Sequence, residues 1–149
     1  MKVCICSSAN ADIKEEYYKD CENALNYILK YNDLVFGACD TGLMGLCYKI
    51  AEEIVTMKIM DSTKAMFDVS DAIVIMPGGF GTIYEFFTAI QTIICKEKDI
   101  PIILYNSCGY YDDLIESINK IYKTGFASSS NVEYFKIANN IEDLKNILK

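Results

Sequence analysis

The residues best suited to chemistry lie between Pro77 and Glu85, in the run Pro-Gly-Gly-Phe-Gly-Thr-Ile-Tyr-Glu. Glycines in such a turn let a ligand approach the main chain closely, and Thr82 is of a type that caps a helix N-terminus. Free amides at a helix N-terminus attract an anion, and Glu85 is expected to point back toward the same place. The run therefore predicts a phosphate site with a carboxylate beside it. The alternative is a plain strand-to-helix turn, with an acid that only stabilises the helix dipole.

The side-chain chemistry open to this protein is narrow. The chain has no histidine and no arginine, because its 14 basic residues are all lysines, against 21 acidic residues. The commonest general base and the bidentate anion clamp are therefore both missing. The net charge of −7 argues against nucleic acid as a partner, since binding a duplex needs a basic face.

The seven cysteines are odd in number and lack the spacing of a disulfide framework, which predicts reduced, mostly buried thiols. Cys6, Cys39 and Cys108 each follow a predicted strand, and this raises the alternative of a thiolate metal site or a reactive thiol. Their spacing matches no zinc pattern, so small buried hydrophobic residues are the favoured interpretation. We expect neither a metal nor a cofactor.

The elements that position these residues alternate between strands and helices. Apolar runs bounded by loops predict strands at 3–6, 34–36, 72–76, 100–105 and 134–138. Helical spacing of apolar residues predicts helices at 12–30, from Leu43, around 65–67, at 83–96, from Asp112 or Asp113, and at 141–148. The pattern blurs at 57–60, where we expect a break. This alternation predicts an α/β fold with a mainly parallel sheet of five or more strands, wound on both faces, and with ligands at the carboxyl ends of the strands.

Several residues are expected to end or begin these elements. Asp61 or Ser62 is predicted to cap the short helix at 65–67, and Asn140 the closing helix. Gly125 is expected just after a helix C-terminus. The segment 128–131 is predicted to be a polar loop.

Length and composition predict one domain spanning residues 1–149. No apolar segment approaches the ~20 residues needed to cross a bilayer, and the first residues carry too short an apolar run for a signal peptide. We therefore expect a cytoplasmic protein with no membrane partner. The helix predicted from Ile83 to Lys96 is apolar on most faces and needs cover on both sides, which predicts a homodimer through this helix.

Two glycine-bearing motifs, the serine pair after the first strand and a long C-terminal segment together resemble one family. The run MPGGFGTIYE matches Pro-Gly-Gly-x-Gly-Thr-x-x-Glu, GACDTGLMG is similar to a turn ending Gly-Leu-Met-Gly, and GYYDDLIESINKIYKTGF is similar to the family's tail. The family is the lonely-guy (LOG) family, formerly mislabelled as lysine decarboxylases, within the SLOG nucleotide-binding superfamily. The resemblance implies a Rossmann-like, three-layer αβα fold, usually dimeric. It also implies a pocket for a nucleoside monophosphate, such as a cytokinin ribotide or AMP, whose N-glycosidic bond is cut to release the base and ribose 5-phosphate.

The resemblance also implies which residues form the site, namely Ser7, Ser8, Gly37, Gly42, Leu43, Met44, Met60, Thr63, Pro77, Gly78, Gly79, Phe80, Gly81 and Thr82 as ligand contacts. The family mechanism uses the motif glutamate, here Glu85, with an arginine in a Met-x-x-Arg-Lys segment. Thr63 stands at the arginine position, and Lys64 follows it as a weak substitute. Ala38 and Cys39 stand where the family has glycines, and a segment that normally carries an extra strand before Met60 looks missing.

These departures leave three functions open. An intact phosphate loop without its arginine favours a protein that binds AMP, an ADP-ribose relative or a cyclic relative with little turnover, as a sensor, a carrier or a phage-style sponge. The alternative is a nucleoside 5′-monophosphate phosphoribohydrolase in which Glu85 and Lys64 suffice, since glycosidic cleavage needs a carboxylate and a cationic or protonating group. The third is a protein-interaction module with a vestigial pocket. Lysine decarboxylation is not expected.

Overall fold

The computed structural model describes residues 1–37, 39–54, 57–60, 62–127 and 134–149. Its strands are short and apolar, and their bounds are β1 Lys2–Cys6, β2 Asp33–Phe36, β3 Met57–Ile59, β4 Ala72–Ile75, β5 Ile102–Tyr105 and β6 Lys136–Ala138. They form one sheet in the order β3-β2-β1-β4-β5-β6, and every neighbouring pair is parallel. This confirms the predicted mainly parallel sheet of five or more strands.

Helices connect the strands, as a parallel sheet requires. Their bounds are α1 Glu15–Tyr31, α2 Gly42–Ile54, α3 Thr63–Val69, α4 Phe80–Ile94, α5 Asp112–Lys123 and α6 Ile141–Ile147. A short 3₁₀ turn, Ser107–Gly109, precedes α5. None of the helices in the described ranges is long and apolar enough to cross a bilayer.

The helices cover the sheet in two layers, each with its own apolar core. One face of the sheet, including Val3 and Ile5, packs with α1, α2 and α6. The other face, including Cys4 and Cys6, packs with α3, α4 and α5. Successive residues of a strand thus enter opposite cores, which is why the strands are almost uninterrupted apolar runs. The arrangement is the three-layer αβα fold, and it explains why the strands were visible in the sequence.

The strand order places a crevice between β1 and β4. The chain runs outward from β1 to β2 and β3, then crosses back to β4 and continues to β5 and β6. In open α/β sheets, ligands bind at such a reversal, beside the carboxyl ends of the two central strands. Ser7 and Ser8 follow β1, and Pro77 follows β4, so the fold brings two predicted segments to this point.

Strand β3 was not expected, since the sequence pattern predicted a break at 57–60 and a missing strand. The structure instead places Met57–Ile59 as an edge strand that pairs only with β2. Three residues are too few to show a strand periodicity, so their pairing is decided by the neighbouring strand. The strands predicted at 100–105 and 134–138 each begin two residues later, at Ile102 and Lys136.

Most predicted helix ends are confirmed. Ser62 caps α3, with its side chain accepting a hydrogen bond from the amide of Ala65, and Asn140 caps α6 by accepting from Glu142 and Asp143. Gly125 follows α5 with a φ of +80°, in the left-handed region that favours glycine. The predicted cap Asp61 and the loop at 128–131 lie outside the described residues. All seven cysteines are free, and four of them are buried.

Candidate functional site

The segment Pro77–Gly81, here called the glycine loop, leads from β4 into α4. The predicted N-cap Thr82 is wrong, because α4 begins at Phe80 and Gly79 is the N-cap. The first intrahelical bond runs from the Ile83 amide to the Gly79 carbonyl over 3.0 Å, and no side chain caps the helix. The amides before Ile83 therefore face outward, in the arrangement that attracts an anion.

Thr82 has a structural role under the loop. Its side chain is buried, and a Cβ added to Gly78 would lie 2.1 Å from its hydroxyl oxygen. Only glycine fits at position 78 while Thr82 is present. Around Gly79 and Gly81, in contrast, a Cβ would meet nothing within 4 Å, so the ligand side of the loop is open. Phe80, between them, is 95% exposed.

The main chain of Ser8 joins the glycine loop to two other elements. Its amide donates to the Pro77 carbonyl over 3.1 Å, and its carbonyl accepts from the amide of Met44 in α2 over 3.1 Å. Nearby, the Ser7 hydroxyl is buried and has no hydrogen-bond partner within the described part of the chain. The loop after β1, the glycine loop and the start of α2 are therefore joined by hydrogen bonds at the β1–β4 crevice.

Thr41 and Gly42, at the start of α2, pack tightly against the loop that follows β1. Gly42 has a φ of +61°, and a Cβ on it would lie 2.5 Å from the Asn10 carbonyl oxygen. The turn is also fastened by the Thr41 hydroxyl, which donates to the Ala9 carbonyl over 2.6 Å. Helix α2 begins at Gly42, one residue before the prediction, and the side chain of Leu43 is fully buried in the core. No part of Leu43 is exposed, so the structure does not support its predicted role as a ligand contact.

Glu85 lies in the second turn of α4, with its carboxyl group beside the thiol of Cys6 at the end of β1. Burial raises the pKa of Glu85 above its ordinary value, and the hydrogen bond from Cys6 opposes that shift only in part. The pKa of the Cys6 thiol is raised well above its ordinary value by the hydrogen bond with Cys4, 3.9 Å away, and by burial. The Cys6 thiol therefore holds its proton more strongly than an ordinary cysteine does.

Met60 follows β3, and Thr63 and Lys64 begin α3. The Met60 amide donates to the Phe36 carbonyl over 3.2 Å, Gly37 is half-buried after β2, and half-buried Thr63 is the first residue of α3. The Lys64 ammonium lies 3.6 Å from Asp68 and 3.5 Å from Glu97, on an exposed surface. These two carboxylates raise the pKa of Lys64. Its charge is engaged in surface ion pairs.

No group of three or more cysteine, aspartate or glutamate side chains in the described ranges is arranged to hold a metal ion. Cys6 is buried in the core, whereas Cys108 is exposed and Cys39 lies against the hydroxyl of Thr41 at 3.3 Å.

Two hydrogen bonds to the connection between β4 and α4, one of them to the glycine loop itself, were not predicted from the sequence. The Tyr110 hydroxyl donates to the Gly78 carbonyl over 2.7 Å, and the Tyr111 hydroxyl donates to the Met76 carbonyl over 2.7 Å. Both residues belong to the Gly-Tyr-Tyr segment that was noted only as part of the family-like tail. The sign of these contacts in the sequence was a pair of adjacent tyrosines in a loop after a strand. Which carbonyls their hydroxyls bind depends on the order of the strands in the sheet.

Comparisons with known proteins identify the family and agree with the fold. A family model described as "Possible lysine decarboxylase" matches residues 22–148. A cytokinin riboside 5′-monophosphate phosphoribohydrolase of Mycobacterium tuberculosis is 33% identical over 92 residues, covering 62% of this chain and about half, 49%, of that protein. The cytokinin riboside 5′-monophosphate phosphoribohydrolase LOG2 of Arabidopsis thaliana is 26% identical, covering 99% of this chain and 82% of the relative.

Solved structures share the architecture at low identity. The Moco carrier protein of Chlamydomonas reinhardtii superposes with a TM-score of 0.68 at 14% identity, covering 99% of this chain and 94% of that one. The molybdenum cofactor binding protein of Rippkaea orientalis gives a TM-score of 0.63 at 14% identity, with 99% and 93% covered. At these identities the likeness concerns the fold alone.

Proposed function

The chain belongs to the family described as possible lysine decarboxylases, the LOG family, and from that premise we propose that it binds a nucleotide-derived ligand through the glycine loop with little or no turnover. The ligand class is AMP, an ADP-ribose relative or a cyclic relative. The phosphate lies against the amides before Ile83, and Glu85 faces the sugar side. The bound protein acts as a sensor, a carrier or a sponge for this ligand.

The observation that carries the proposal is that the chain has a candidate anion site but lacks the cationic residue that the family mechanism places beside it. The N-terminus of α4 is uncapped, open on its ligand side and placed at the β1–β4 crevice. At the position that matches the family's arginine stands Thr63, and the next residue, Lys64, pairs with Asp68 and Glu97 instead. Binding needs the amides, whereas cleavage also needs a positioned cation or proton donor.

The partnerless Ser7 hydroxyl supports a ligand at the same place. A buried hydroxyl without a hydrogen bond is unfavourable by ~1–3 kcal/mol, and such groups are rare in folded proteins. A ligand that brings acceptor oxygens into the crevice would supply the missing partner after a small rotation of the side chain.

The alternative function is nucleoside 5′-monophosphate phosphoribohydrolysis, and Glu85 is the observation in its favour. A half-buried carboxyl group with a raised pKa at a crevice is typical of catalytic sites. The curated relatives carry that activity in their names. In this alternative Glu85 stabilises the ribosyl cation that develops as the bond to the base breaks.

One experiment separates the two functions. Purified protein is incubated with AMP and with isopentenyl-AMP, binding is measured by calorimetry, and released base is measured by chromatography. We expect binding of AMP without base release above the level of a Glu85→Gln control. Base that appears with the wild type and disappears with Glu85→Gln would instead establish the hydrolase. Absence of binding by AMP, ADP-ribose and cyclic nucleotides would refute the binding function, and absence of base release from AMP and isopentenyl-AMP would refute the hydrolase.

A gain-of-function variant completes that experiment. If the missing arginine is what limits turnover, Thr63→Arg is expected to raise base release by ~100-fold or more, the typical contribution of one positioned charged or acid group. Asn23→Arg, at an exposed position on α1, adds the same charge away from α3 and serves as the control. A Thr63→Arg protein that binds AMP but releases base no faster than the control would contradict this explanation.

We also propose that the protein is a homodimer that assembles through α4. Large apolar side chains stay exposed along this helix, with Phe80 at 95%, Tyr84 at 66%, Phe87 at 42% and Ile94 at 46%. At ~100° per residue, these four positions fall within about 80° of one another on the helix surface. A second copy of the same helix would cover this stripe on both chains at once. The seven free thiols support a reducing compartment, the cytoplasm, as its location.

A further inference from the structure

Two adjacent tyrosines donate hydrogen bonds to the connection between β4 and α4. Tyr110 and Tyr111 follow the 3₁₀ turn after β5, and each hydroxyl donates to a main-chain carbonyl of the β4–α4 connection over 2.7 Å. The acceptors are Gly78 for Tyr110 and Met76 for Tyr111, two residues apart along the chain. The glycine loop is therefore hydrogen-bonded to the connection between β5 and α5 as well as to Ser8.

Both tyrosines are themselves held in place. The side chain of Asn106 accepts a hydrogen bond from the Tyr111 amide over 2.7 Å and donates to Asp112 and Asn139 over 2.8 and 3.0 Å. The Tyr110 ring packs edge-on against Tyr111 and against Tyr17 of α1, with centroid distances of 4.8 and 5.6 Å. The hydroxyl of Tyr110 thus has a fixed position, although its side chain is 41% exposed.

The two hydrogen bonds differ in what they orient. A trans peptide directs its C=O and its N–H in opposite directions. The peptide after Met76 continues into Pro77, which has no N–H, so the Tyr111 bond can fix only the path of the chain. The peptide after Gly78 continues into Gly79, so when Tyr110 holds the Gly78 carbonyl, it also directs the Gly79 N–H away from Tyr110.

Gly79 is the N-cap of α4, and its N–H belongs to the set of free amides at the anion site. With no Cβ on either side, the Gly78–Gly79 peptide has unusual rotational freedom in the absence of a restraint. We propose that Tyr110 is a positioning residue for the phosphate-binding amides, holding the Gly79 N–H toward the ligand. This inference rests on the proposed function, because it needs an anion at the loop.

The test compares a phosphate ligand with the same ligand lacking phosphate. Affinities for AMP and adenosine are measured by calorimetry for the wild type, for Tyr110→Phe and for Tyr48→Phe. Tyr48 is a half-buried tyrosine on α2 whose hydroxyl also donates a hydrogen bond, to Glu52 over 3.2 Å. One hydrogen bond is worth about 3- to 10-fold in affinity. We expect Tyr110→Phe to weaken AMP binding by that factor and to leave adenosine binding unchanged, while Tyr48→Phe changes neither.

A spectroscopic measurement separates positioning from a loss of stability. In protein labelled with ¹⁵N-glycine, the Gly79 resonance is expected to shift on addition of AMP or inorganic phosphate, and to shift less in Tyr110→Phe. Tyr111→Phe is expected to lower the melting temperature more than Tyr110→Phe does, because Tyr111 is buried, yet to retain the wild-type ratio of AMP to adenosine affinity.

The outcomes distinguish this inference from the proposed function. If wild-type protein binds neither AMP nor inorganic phosphate, the proposed function fails and the role of Tyr110 fails with it. If the wild type binds AMP and Tyr110→Phe binds it equally well, only the role of Tyr110 is overturned. Equal losses for AMP and adenosine would also overturn it, because a general distortion of the pocket would then explain the effect.

Discussion

Glu85 is the residue whose surroundings most alter its chemistry. Its carboxyl group is half-buried beside the Cys6 thiol, and burial raises its pKa. The folded protein therefore favours the protonated carboxyl group more strongly than the unfolded chain does. The ionised form consequently lowers the stability of the fold.

This cost has a defined dependence on pH. Above the raised pKa of Glu85 the folded protein carries the full penalty of a buried carboxylate, and below the ordinary value of about 4.5 both states are protonated and the penalty vanishes. Glu85→Gln is therefore expected to be more stable than the wild type at pH 7.5, with the difference closing toward pH 4. Urea unfolding at several pH values measures this.

The control for that measurement is Glu116→Gln, which removes a charge from an exposed position on α5. It corrects for the general benefit of reducing a net charge of −7. If Glu85→Gln gained no more stability at pH 7.5 than Glu116→Gln, burial of the Glu85 carboxylate would not be costly.

The sequence predicted residue types at the site better than their roles. The glycines of the Pro77–Gly81 loop were expected from their freedom and small size, and the structure shows that Gly78 is required because Thr82 occupies the space of its Cβ. The predicted cap role of Thr82 was wrong because α4 begins two residues before it. A threonine near a helix start is a good cap by type, but which residue begins the helix depends on packing that one line of sequence does not show.

Among the elements, α3 depends on a single lysine from a distant part of the chain. The Lys98 ammonium donates to the carbonyls of Phe67 and Asp68, each over 2.8 Å, and to that of Ser70. These carbonyls lie at the C-terminal end of α3, where intrahelical donors run out and a positive charge is favoured. Lys98 therefore fixes the helix that presents Thr63 at its other end.

Lys98→Met is expected to lower the free energy of unfolding by about 1–3 kcal/mol, since it retains the apolar stem and removes charged hydrogen bonds. Chemical denaturation measures the loss. Lys49→Met is a matched control, because Lys49 is exposed on α2 and makes no hydrogen bond or ion pair within the described ranges. Equal stability of the two variants would show that the C-terminus of α3 does not need this cation.

Most elements were predictable because the central strands contribute to both cores and are almost uninterrupted apolar runs. That pattern is local, so β1, β2, β4 and β5 were visible in the sequence. Strand β3 was not visible, because its three residues pair along a sheet edge, and their state depends on the position of β2. Likewise α4 was placed three residues late, since the glycines before Ile83 favour a loop by type and become helical only in context.

At the scale of the molecule, the stripe of exposed apolar residues on α4 is the basis for the expected homodimer. Tyr84 and Ile94 lie toward opposite ends of this stripe, so Tyr84→Lys with Ile94→Lys should prevent its burial between two copies. We expect the wild type to have twice the 16.8 kDa mass of one chain by light scattering at micromolar concentration, and the double variant to have the mass of one.

Tyr31→Lys controls for adding a lysine to an exposed aromatic position, since Tyr31 is exposed on α1, in the other helical layer. A dimeric Tyr31→Lys protein beside a monomeric double variant would locate the interface on α4. A wild type that stays monomeric would refute the assembly.

The hydrogen bonds of Ser8 have a consequence for motion. One residue is bonded through its amide to the connection after β4 and through its carbonyl to the first turn of α2. Because both hydrogen bonds use the backbone of Ser8, a displacement of the β4–α4 connection is transmitted to the start of α2, and the reverse also holds. A ligand that orders the glycine loop would then also restrict the motion of α2, so that occupancy of the crevice changes the mobility of a whole helix and not only of the loop that binds the ligand.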